Sequence, residues 1–329
     1  MKFGLIGCGH MGKFHASKLA LIPGIDFVGC HDIVPEKASE IAALYNCRIF
    51  ESVEDFIGKI DAAIVATSTQ SHAVTAIRLL DNKIAVLLEK PIAPDIQAAE
   101  KIVSTAAATG AVLQVGHSER FNPVYRAARS KIKSPRFIET HRLAPFKGRG
   151  HDVAVILDLM IHDIDLLLDM THSEPSKIEA AGVGVITETF DIVNARLTFP
   201  TGCVANITAS RISIKEMRKL RVFQKSGYIS MDLAKAELEA YSLEASDSIK
   251  AAEAGPFSKF SLPDGKVIVR ESADIPHADN LQSEIESFIK AIKGHQTPVV
   301  TGKDGLTALR VAKRIEQICT EYQKTLWIS

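Results

Sequence analysis

An aspartate and a histidine spaced four residues apart could carry out acid–base chemistry in this chain. Asp158, His162 and Asp165 lie in an apolar segment over 154–170 that predicts a helix, and spacings of four and three residues place them on one face. A carboxylate one turn away orients a histidine and stabilises its charged form, which suits a residue that must accept a proton. The alternatives are a polar helix face with one hydrogen-bonded histidine, or a metal site, for which further ligands at a recognisable spacing are missing.

Lys90 is a second candidate, because it directly follows Glu89 at the end of a predicted buried strand over 84–88. Ligands of open α/β sheets bind at the carboxyl ends of the strands, so an ammonium group there could donate to a substrate hydroxyl or carbonyl oxygen. Partial burial would make such a lysine a usable acid or base. The alternative is an ordinary surface lysine at the end of a strand.

These side chains need a scaffold, and the first dozen residues predict one. Gly7, Gly9 and Gly12 match the fingerprint of a dinucleotide-binding turn: the first permits the tight turn, the second lets the backbone approach a pyrophosphate, and the third lets the helix pack closely. Asp32 follows the next predicted strand, where a carboxylate would accept a hydrogen bond from the ribose 2′-OH. Because no arginine follows over 33–36 to bind a 2′-phosphate, the pattern predicts NAD rather than NADP. The alternative is a structural turn with an incidental aspartate.

The order of apolar segments predicts two domains. Up to about residue 118, short apolar runs alternate with helical patterns, which is typical of a parallel sheet covered on both faces, and Thr67, Ser68 and His72 follow one of its strands. From about residue 136, consecutive extended segments with tight turns predict an antiparallel sheet. We therefore predict an α/β Rossmann domain over 1–118 and an α+β domain over 119–329, with a large, mostly antiparallel open sheet for substrate binding and oligomerisation.

Composition excludes several classes of protein. The 39 basic and 39 acidic residues balance to a net charge of +0, which argues against a nucleic-acid or membrane-surface partner held by bulk charge. No apolar run approaches the roughly 18 residues that span a bilayer, and the chain enters a predicted strand without a charged leader. Its five cysteines are scattered and odd in number. We predict no disulfides, no zinc site, and a cytoplasmic location.

Four motifs in order resemble the glucose-fructose oxidoreductase/inositol dehydrogenase (Gfo/Idh/MocA) family: residues 7–12, 66–72, 89–91 and 158–165. The resemblance covers essentially the whole chain, and it implies an NAD-dependent dehydrogenase in which Lys90, Asp158 and His162 are catalytic. It also implies a homodimer or homotetramer. Residues that would lie around the dinucleotide are Gly7, Gly9, His10, Met11, Gly12, Asp32, Thr67, Ser68, His72 and Glu89. Ser68 stands where the family usually has proline.

Residues 116–123 and 141–150 resemble the branch of this family that includes UDP-N-acetylglucosamine 3-dehydrogenases. We predict that their basic residues lie in two loops at the domain junction and bind a phosphorylated ligand, because guanidinium groups bind phosphate bidentately. The predicted reaction is oxidation of UDP-N-acetylglucosamine to its 3-keto form. The alternatives are an inositol or free-sugar dehydrogenase, a catalytically silent dinucleotide-binding sensor, or, for the loops, ordinary solvated charges. Candidate substrate-binding residues are Arg120, Asn122, Arg142, Lys147, Arg149 and Asp165.

Overall fold

The chain forms two compact units. A computed structural model describes residues 1–146, 153–225, 227–245, 257–261, 266–276 and 278–326. Unit 1 combines Met1–Phe121 with Asp279–Arg310, and unit 2 combines Asn122–Ala278 with Val311–Ser329. The predicted division at 118/119 did not anticipate that a late segment of the chain returns to the first unit.

Unit 1 contains a six-stranded parallel sheet in the order β3-β2-β1-β4-β5-β6. This is the strand order of a dinucleotide-binding Rossmann fold, and it confirms the predicted doubly wound sheet. The central strands are buried on both faces, as the unbroken apolar run of β4 indicates. The strands are β1 (Lys2–Ile6), β2 (Asp26–His31), β3 (Arg48–Ile49), β4 (Ala62–Val65), β5 (Ala85–Glu89) and β6 (Leu113–Gly116).

The helices of unit 1 begin and end at residues that the sequence marks. Asp95 caps α4 by accepting the N–H of Ala98 at 2.8 Å, and Gly110, with φ +71, ends it in the left-handed region. Short 3₁₀ turns cover Glu54–Phe56, Thr69–Ser71 and Ser118–Phe121. The first four helices are α1 (His10–Leu19), α2 (Pro35–Tyr45), α3 (His72–Asp81) and α4 (Ile96–Thr109).

A late helix, Asn280–Ile292, returns to unit 1 because its apolar face completes the core of that unit. Ile285, Phe288 and Ile289 repeat at helical spacing and are buried in the cluster that contains Phe3. The rings of Phe3 and Phe288 meet edge to face, with centroids 6.1 Å apart. The contiguous domain prediction was therefore wrong for residues 279–310.

Unit 2 is built on a nine-stranded sheet among the described residues, in the order β14-β15-β13-β12-β11-β7-β10-β9-β8. All neighbouring strands pair antiparallel except β7 and β10, which confirms the predicted, mostly antiparallel open sheet. The strands are β7 (Pro135–Leu143), β8 (Lys177–Val183), β9 (Ile192–Thr198), β10 (Val204–Ser210), β11 (Met217–Gln224), β12 (Gly227–Asp232), β13 (Glu237–Ala245), β14 (Phe257–Ser261) and β15 (Lys266–Asp274).

Two helices of unit 2 precede most of this sheet in the chain. They are α5 (Pro123–Arg129) and α6 (Ile161–Thr171), and a π-helical turn, Ile156–Met160, leads directly into α6. The late helix Asn280–Ile292 is α7, and the helix that follows it is α8 (Gly302–Leu326). Among the helices in the described ranges, none is both long and apolar enough to span a bilayer.

Candidate active site

The glycine turn of unit 1 has the geometry that each of its glycines predicts. Gly7 has φ +94, and a Cβ there would lie 2.5 Å from the carbonyl group of Ala66. A Cβ on Gly12 would lie 2.0 Å from the carbonyl oxygen of Gly7, so only glycine allows α1 to approach β1 this closely. Gly9 differs from both, because its missing Cβ would meet nothing within 4 Å. The backbone at Gly9 is therefore open to a ligand.

The amino terminus of α1 is suited to a phosphate group. Gly9 is the residue before the helix and supplies no side-chain cap, so the first N–H groups of the helix remain available to an anion. His10 and Met11 in this first turn are exposed. The ring of His10 packs edge to face on that of Phe14, with centroids 4.9 Å apart.

Asp32 lies directly after β2 and is held by backbone N–H groups. Its Oδ2 accepts the N–H of Cys8 at 2.7 Å, and its Oδ1 accepts the N–H of Val34 at 2.9 Å. The carboxylate thus links the glycine turn to the start of α2 and lines a cavity of about 380 Å³ together with Gly9 and Thr67. Lys37 also lines this cavity, a cation that the sequence analysis did not consider beside Asp32.

The loop after β4 contains Thr67 and Ser68, which line the same cavity. His72 behaves differently, since it is buried and both ring nitrogens face backbone carbonyls: Nδ1 lies 2.9 Å from the oxygen of Pro91, and Nε2 lies 3.2 Å from that of Thr67. Burial lowers the pKa of His72, although these carbonyl contacts oppose the shift. His72 therefore joins the loops after β4 and β5, and its contact with the cofactor stays a prediction.

Glu89 ends β5 and forms a buried pair that the sequence analysis missed. Its Oε1 lies 2.7 Å from Nε2 of His15 on α1, and its Oε2 accepts the N–H of Lys90 at 3.2 Å. Burial alone would raise the pKa of the Glu89 carboxyl, but the hydrogen bond and charge of His15, with the charge of Lys90, outweigh it and lower the pKa. Lys90 itself is half-buried at the carboxyl edge of the sheet, where it was predicted.

In unit 2, Asp158 lies in the π-helical turn and His162 in the first turn of α6. We predicted one regular α-helix over 154–170. The prediction was wrong for residues 156–160, where the wider π-helical turn contains an extra residue. Both side chains are half-buried, so part of each remains accessible to a ligand. Asp165 is 1% exposed, so it faces the interior of the unit, and its predicted role in substrate binding stays a prediction.

Arg142 does not lie in a loop, as predicted, but in β7, with its side chain buried. Its Nε donates to Oδ2 of Asp163 at 3.0 Å and its Nη2 to Oδ1 at 2.9 Å, a bidentate ion pair with a residue of α6. The loop prediction failed because Arg142 shares the inward face of β7 with Ile138 and Thr140. Its guanidinium holds the helix that carries His162.

The other predicted substrate residues divide into two groups. Arg120 is buried in the 3₁₀ turn Ser118–Phe121, again not in an open loop, and Asn122 caps α5 by accepting the N–H of Val124 at 3.0 Å and donating to the carbonyl of Leu233 at 3.2 Å. Lys147 and Arg149 lie outside the described residues. The role of all four in binding substrate stays a prediction.

A second buried ion pair fixes the segment before Asp158. Nε of Arg211 lies 3.1 Å from Oδ1 of Asp191, and Nη2 of Arg211 donates to the carbonyls of Val153 at 2.7 Å and Phe190 at 2.9 Å. Burial opposes ionisation of Asp191, but three backbone N–H groups over 185–187 donate to it and lower its pKa to about 2. No motif marks this pair in the sequence.

Three features of unit 1 fit NAD. The backbone at Gly9 has no side chain that would block a pyrophosphate, the amino terminus of α1 has no side-chain cap, and the carboxylate of Asp32 is suited to the ribose. Two family models match the chain, the NAD-binding Rossmann-fold model of the GFO/IDH/MocA oxidoreductase family over residues 1–117 and the GFO/IDH/MocA C-terminal domain model over residues 126–230. The observed fold, the fit of unit 1 to NAD and the two family models therefore all indicate an NAD-binding oxidoreductase.

Among known proteins, the chain is 34% identical over 316 residues to UDP-N-acetylglucosamine 3-dehydrogenase of Acidithiobacillus ferrooxidans, covering 96% of each chain. A solved structure of that protein superposes with a TM-score of 0.86 over 97% of both chains. Inositol 2-dehydrogenase of Rhizobium meliloti is 26% identical over 95% of this chain and 94% of its own. The fold also matches scyllo-inositol dehydrogenase of Lactobacillus casei with bound NAD(H) and scyllo-inositol, with a TM-score of 0.78 at 20% identity over 98% of this chain and 97% of that one. The chain therefore belongs to the Gfo/Idh/MocA family of oxidoreductases, and NAD is its cofactor.

Proposed function

We propose that this protein oxidises the 3-hydroxyl of UDP-N-acetylglucosamine to a ketone, with NAD as the hydride acceptor. The observation that carries the proposal is the 34% identity to a UDP-N-acetylglucosamine 3-dehydrogenase over 96% of both chains. The matched region extends through both units of the chain, and function within a family depends on the site rather than on the fold. The same fold at lower identity also serves inositol dehydrogenases, so the fold alone would not choose the substrate.

In this proposal the chain's own residues move and stabilise charge at the substrate hydroxyl. His162 accepts the proton of the hydroxyl, Asp158 orients the imidazole and stabilises its charged form, and the ammonium of Lys90 stabilises the developing alkoxide. Bound NAD supplies the hydride acceptor. The half-buried state of all three side chains supports these roles, because each can reach a ligand while much of its surface is withdrawn from water.

An inositol or free-sugar dehydrogenase is the second candidate, and one contact favours it. Arg142, the cation proposed to bind the substrate phosphate, is engaged with Asp163, which reduces the positive charge available for a UDP group among the described residues. A catalytically silent NAD-binding sensor is less favoured, because it would have no use for Lys90 and His162.

The experiment that tests the proposal offers UDP-N-acetylglucosamine, N-acetylglucosamine and myo-inositol separately with NAD and follows NADH formation. We expect activity with the UDP-sugar; activity confined to myo-inositol would contradict the proposed substrate. Lys90→Ala and His162→Ala should each lower kcat by about 10² to 10⁴. The exposed Lys101→Ala and His295→Ala variants are matched controls that should retain wild-type turnover.

We also propose a homodimer or homotetramer in the cytoplasm. The open face of the unit 2 sheet carries a row of half-buried aromatic rings from four adjacent strands, with neighbouring ring centroids 4.8 to 5.7 Å apart. The rings belong to Phe137, Phe223, Tyr228 and Tyr241. Such an apolar row is suited to cover by a second copy of the chain. Five free thiols suit a reducing compartment. Light scattering of wild type and Tyr228→Glu tests the assembly, and a monomeric wild type would contradict it.

A further inference from the structure

The pair formed by His15 and Glu89 is buried next to Lys90 and is not explained by folding alone. The side chains of His15 and Glu89 are 1% and 9% exposed, and Nε2 and Oε1 lie 2.7 Å apart. Nδ1 of His15 is buried with no hydrogen-bond partner among the described residues. A buried ionisable pair with one unsatisfied atom stabilises a fold less than well-packed apolar side chains do, so its presence calls for another reason.

The surrounding backbone is shaped to accommodate this carboxylate. A Cβ on Gly116, the last residue of β6, would lie 3.2 Å from both Oε2 and Cα of Glu89. A glycine at this position therefore leaves the space that the carboxylate fills. The pair thus joins α1, whose amino terminus is suited to a phosphate group, to the end of β5, with β6 alongside.

The contacts determine which atom carries the proton. An ionised carboxylate only accepts hydrogen bonds, so Nε2 of His15 must be protonated to donate to Oε1. The second oxygen, Oε2, accepts the backbone N–H of Lys90 at 3.2 Å. His15 thereby fixes Glu89, and Glu89 fixes the peptide group from which the side chain of Lys90 extends.

We infer that His15 is a positioning residue for Lys90: its hydrogen bond fixes the Glu89 carboxylate, which in turn accepts the backbone N–H of Lys90 and fixes that residue. This inference rests on the proposed role of Lys90 in catalysis. It deepens that proposal, because it adds a residue on α1, 74 positions before its partner, that contacts no reacting atom itself.

Among the described residues, titratable groups from α1, the end of β5 and α3 influence Glu89. His15 approaches from α1 and Lys90 from the end of β5, and the imidazole of His72, in the first turn of α3, interacts electrostatically with the same carboxylate. His72 lies between two backbone carbonyls, so of the two histidines only His15 is hydrogen-bonded to the Glu89 carboxylate. Removal of the His15 side chain leaves burial as the main influence on Glu89, and burial raises its pKa.

The test compares His15→Ala with His15→Gln, whose amide N–H can replace Nε2–H as a neutral donor of similar reach. For His15→Ala we expect kcat to fall about 10- to 100-fold, the size expected for losing a hydrogen bond to a charged group. The acid limb of the pH profile of kcat should move up by about 1 to 3 units. KM for NAD should change less than kcat, and His15→Gln should restore most of kcat and the position of the acid limb.

A control separates positioning from loss of packing. Leu19→Ala removes a buried side chain one turn further along α1, so it should lower thermal stability without moving the acid limb. A folded His15→Ala with wild-type kcat and pH profile would overturn the inference, and so would a His15→Gln variant no better than alanine. Normal turnover of Lys90→Ala would instead refute the proposed function, which keeps the two failures distinct.

Discussion

Replacing Arg142 by alanine should destabilise unit 2, and this prediction separates two roles for the same residue. The guanidinium makes two hydrogen bonds, of 3.0 and 2.9 Å, to the carboxylate of Asp163, and the two side chains are 5% and 4% exposed. Alanine would remove the Arg142 guanidinium and both of its hydrogen bonds from a buried carboxylate. Breaking a buried ion pair in this way costs about 3 to 5 kcal/mol.

That loss is a large part of the roughly 5 to 15 kcal/mol by which folded proteins are stable. For a unit of this size it corresponds to a fall in Tm of about 6 to 20 °C. Differential scanning calorimetry and urea unfolding measure it directly. The exposed Arg126→Ala on α5 is the matched control and should unfold as wild type does.

A double-mutant cycle assigns the effect to the pair. Arg142→Met and Asp163→Leu should each be strongly destabilising, whereas the double variant should be more stable than the sum of the two losses predicts, because apolar side chains of similar size can replace a buried pair. The reasoning is refuted if Arg142→Ala unfolds at the wild-type urea concentration and raises KM for the UDP-sugar instead. Arg142 would then bind substrate, as the sequence predicted.

Three further predictions concern the cofactor turn and the pH dependence of stability. Gly12→Ala should fail to bind NAD or to fold, because its Cβ would lie 2.0 Å from the carbonyl oxygen of Gly7. Gly9→Ala should keep wild-type stability and lose NAD affinity, because its Cβ would meet no protein atom within 4 Å. Unfolding curves and NAD titrations of the two variants test this difference. Asp32→Asn should weaken NAD binding by about tenfold or more, and unchanged affinity would remove this carboxylate from the ribose site. The pKa of Asp191 is lowered from 3.8 to about 2, so its stabilisation is present above pH 3.8 and is lost as the pH falls towards 2. Asp191→Asn should therefore cost about 2 kcal/mol at pH 7 and progressively less as the pH falls below 3.8, and a difference that stays constant with pH would contradict the assignment.

The cofactor turn could be predicted from the sequence because its geometry is local. Gly7 and Gly12 act through close backbone contacts with the adjacent strand end or within the turn, Gly9 leaves open space, and Asp32 lies where the next strand ends. Spacing along the chain fixes such positions once the strands are identified. The alternation of strands and helices that predicted the parallel sheet, and the consecutive strands with tight turns that predicted the antiparallel sheet, are local in the same sense.

The buried pairs could not be read in this way. His15 and Glu89 are 74 residues apart, and a histidine on an apolar helix face does not reveal which element will supply its partner. Arg142 was misplaced for a different reason, because β7 extends through Leu143 into the segment 141–150 that was predicted as a loop. Ile138 and Thr140 precede it at a period of two, and a charged residue on that inward face requires a buried counter-charge.

The residues of these buried pairs share one property: each pair fixes the backbone or the neighbour of a predicted catalytic residue. Glu89 is held by His15 and in turn accepts the N–H of Lys90, and Arg142 is paired with the residue that follows His162. A motif records which side chains recur around a ligand, whereas these contacts depend on how distant elements pack. Because catalysis requires that acid, base and charge be fixed within fractions of an ångström, loss of such a buried pair can lower turnover by up to about 10²-fold. Substitutions in these pairs should therefore affect kcat and stability together, whereas those at Lys90 and His162 should affect kcat alone.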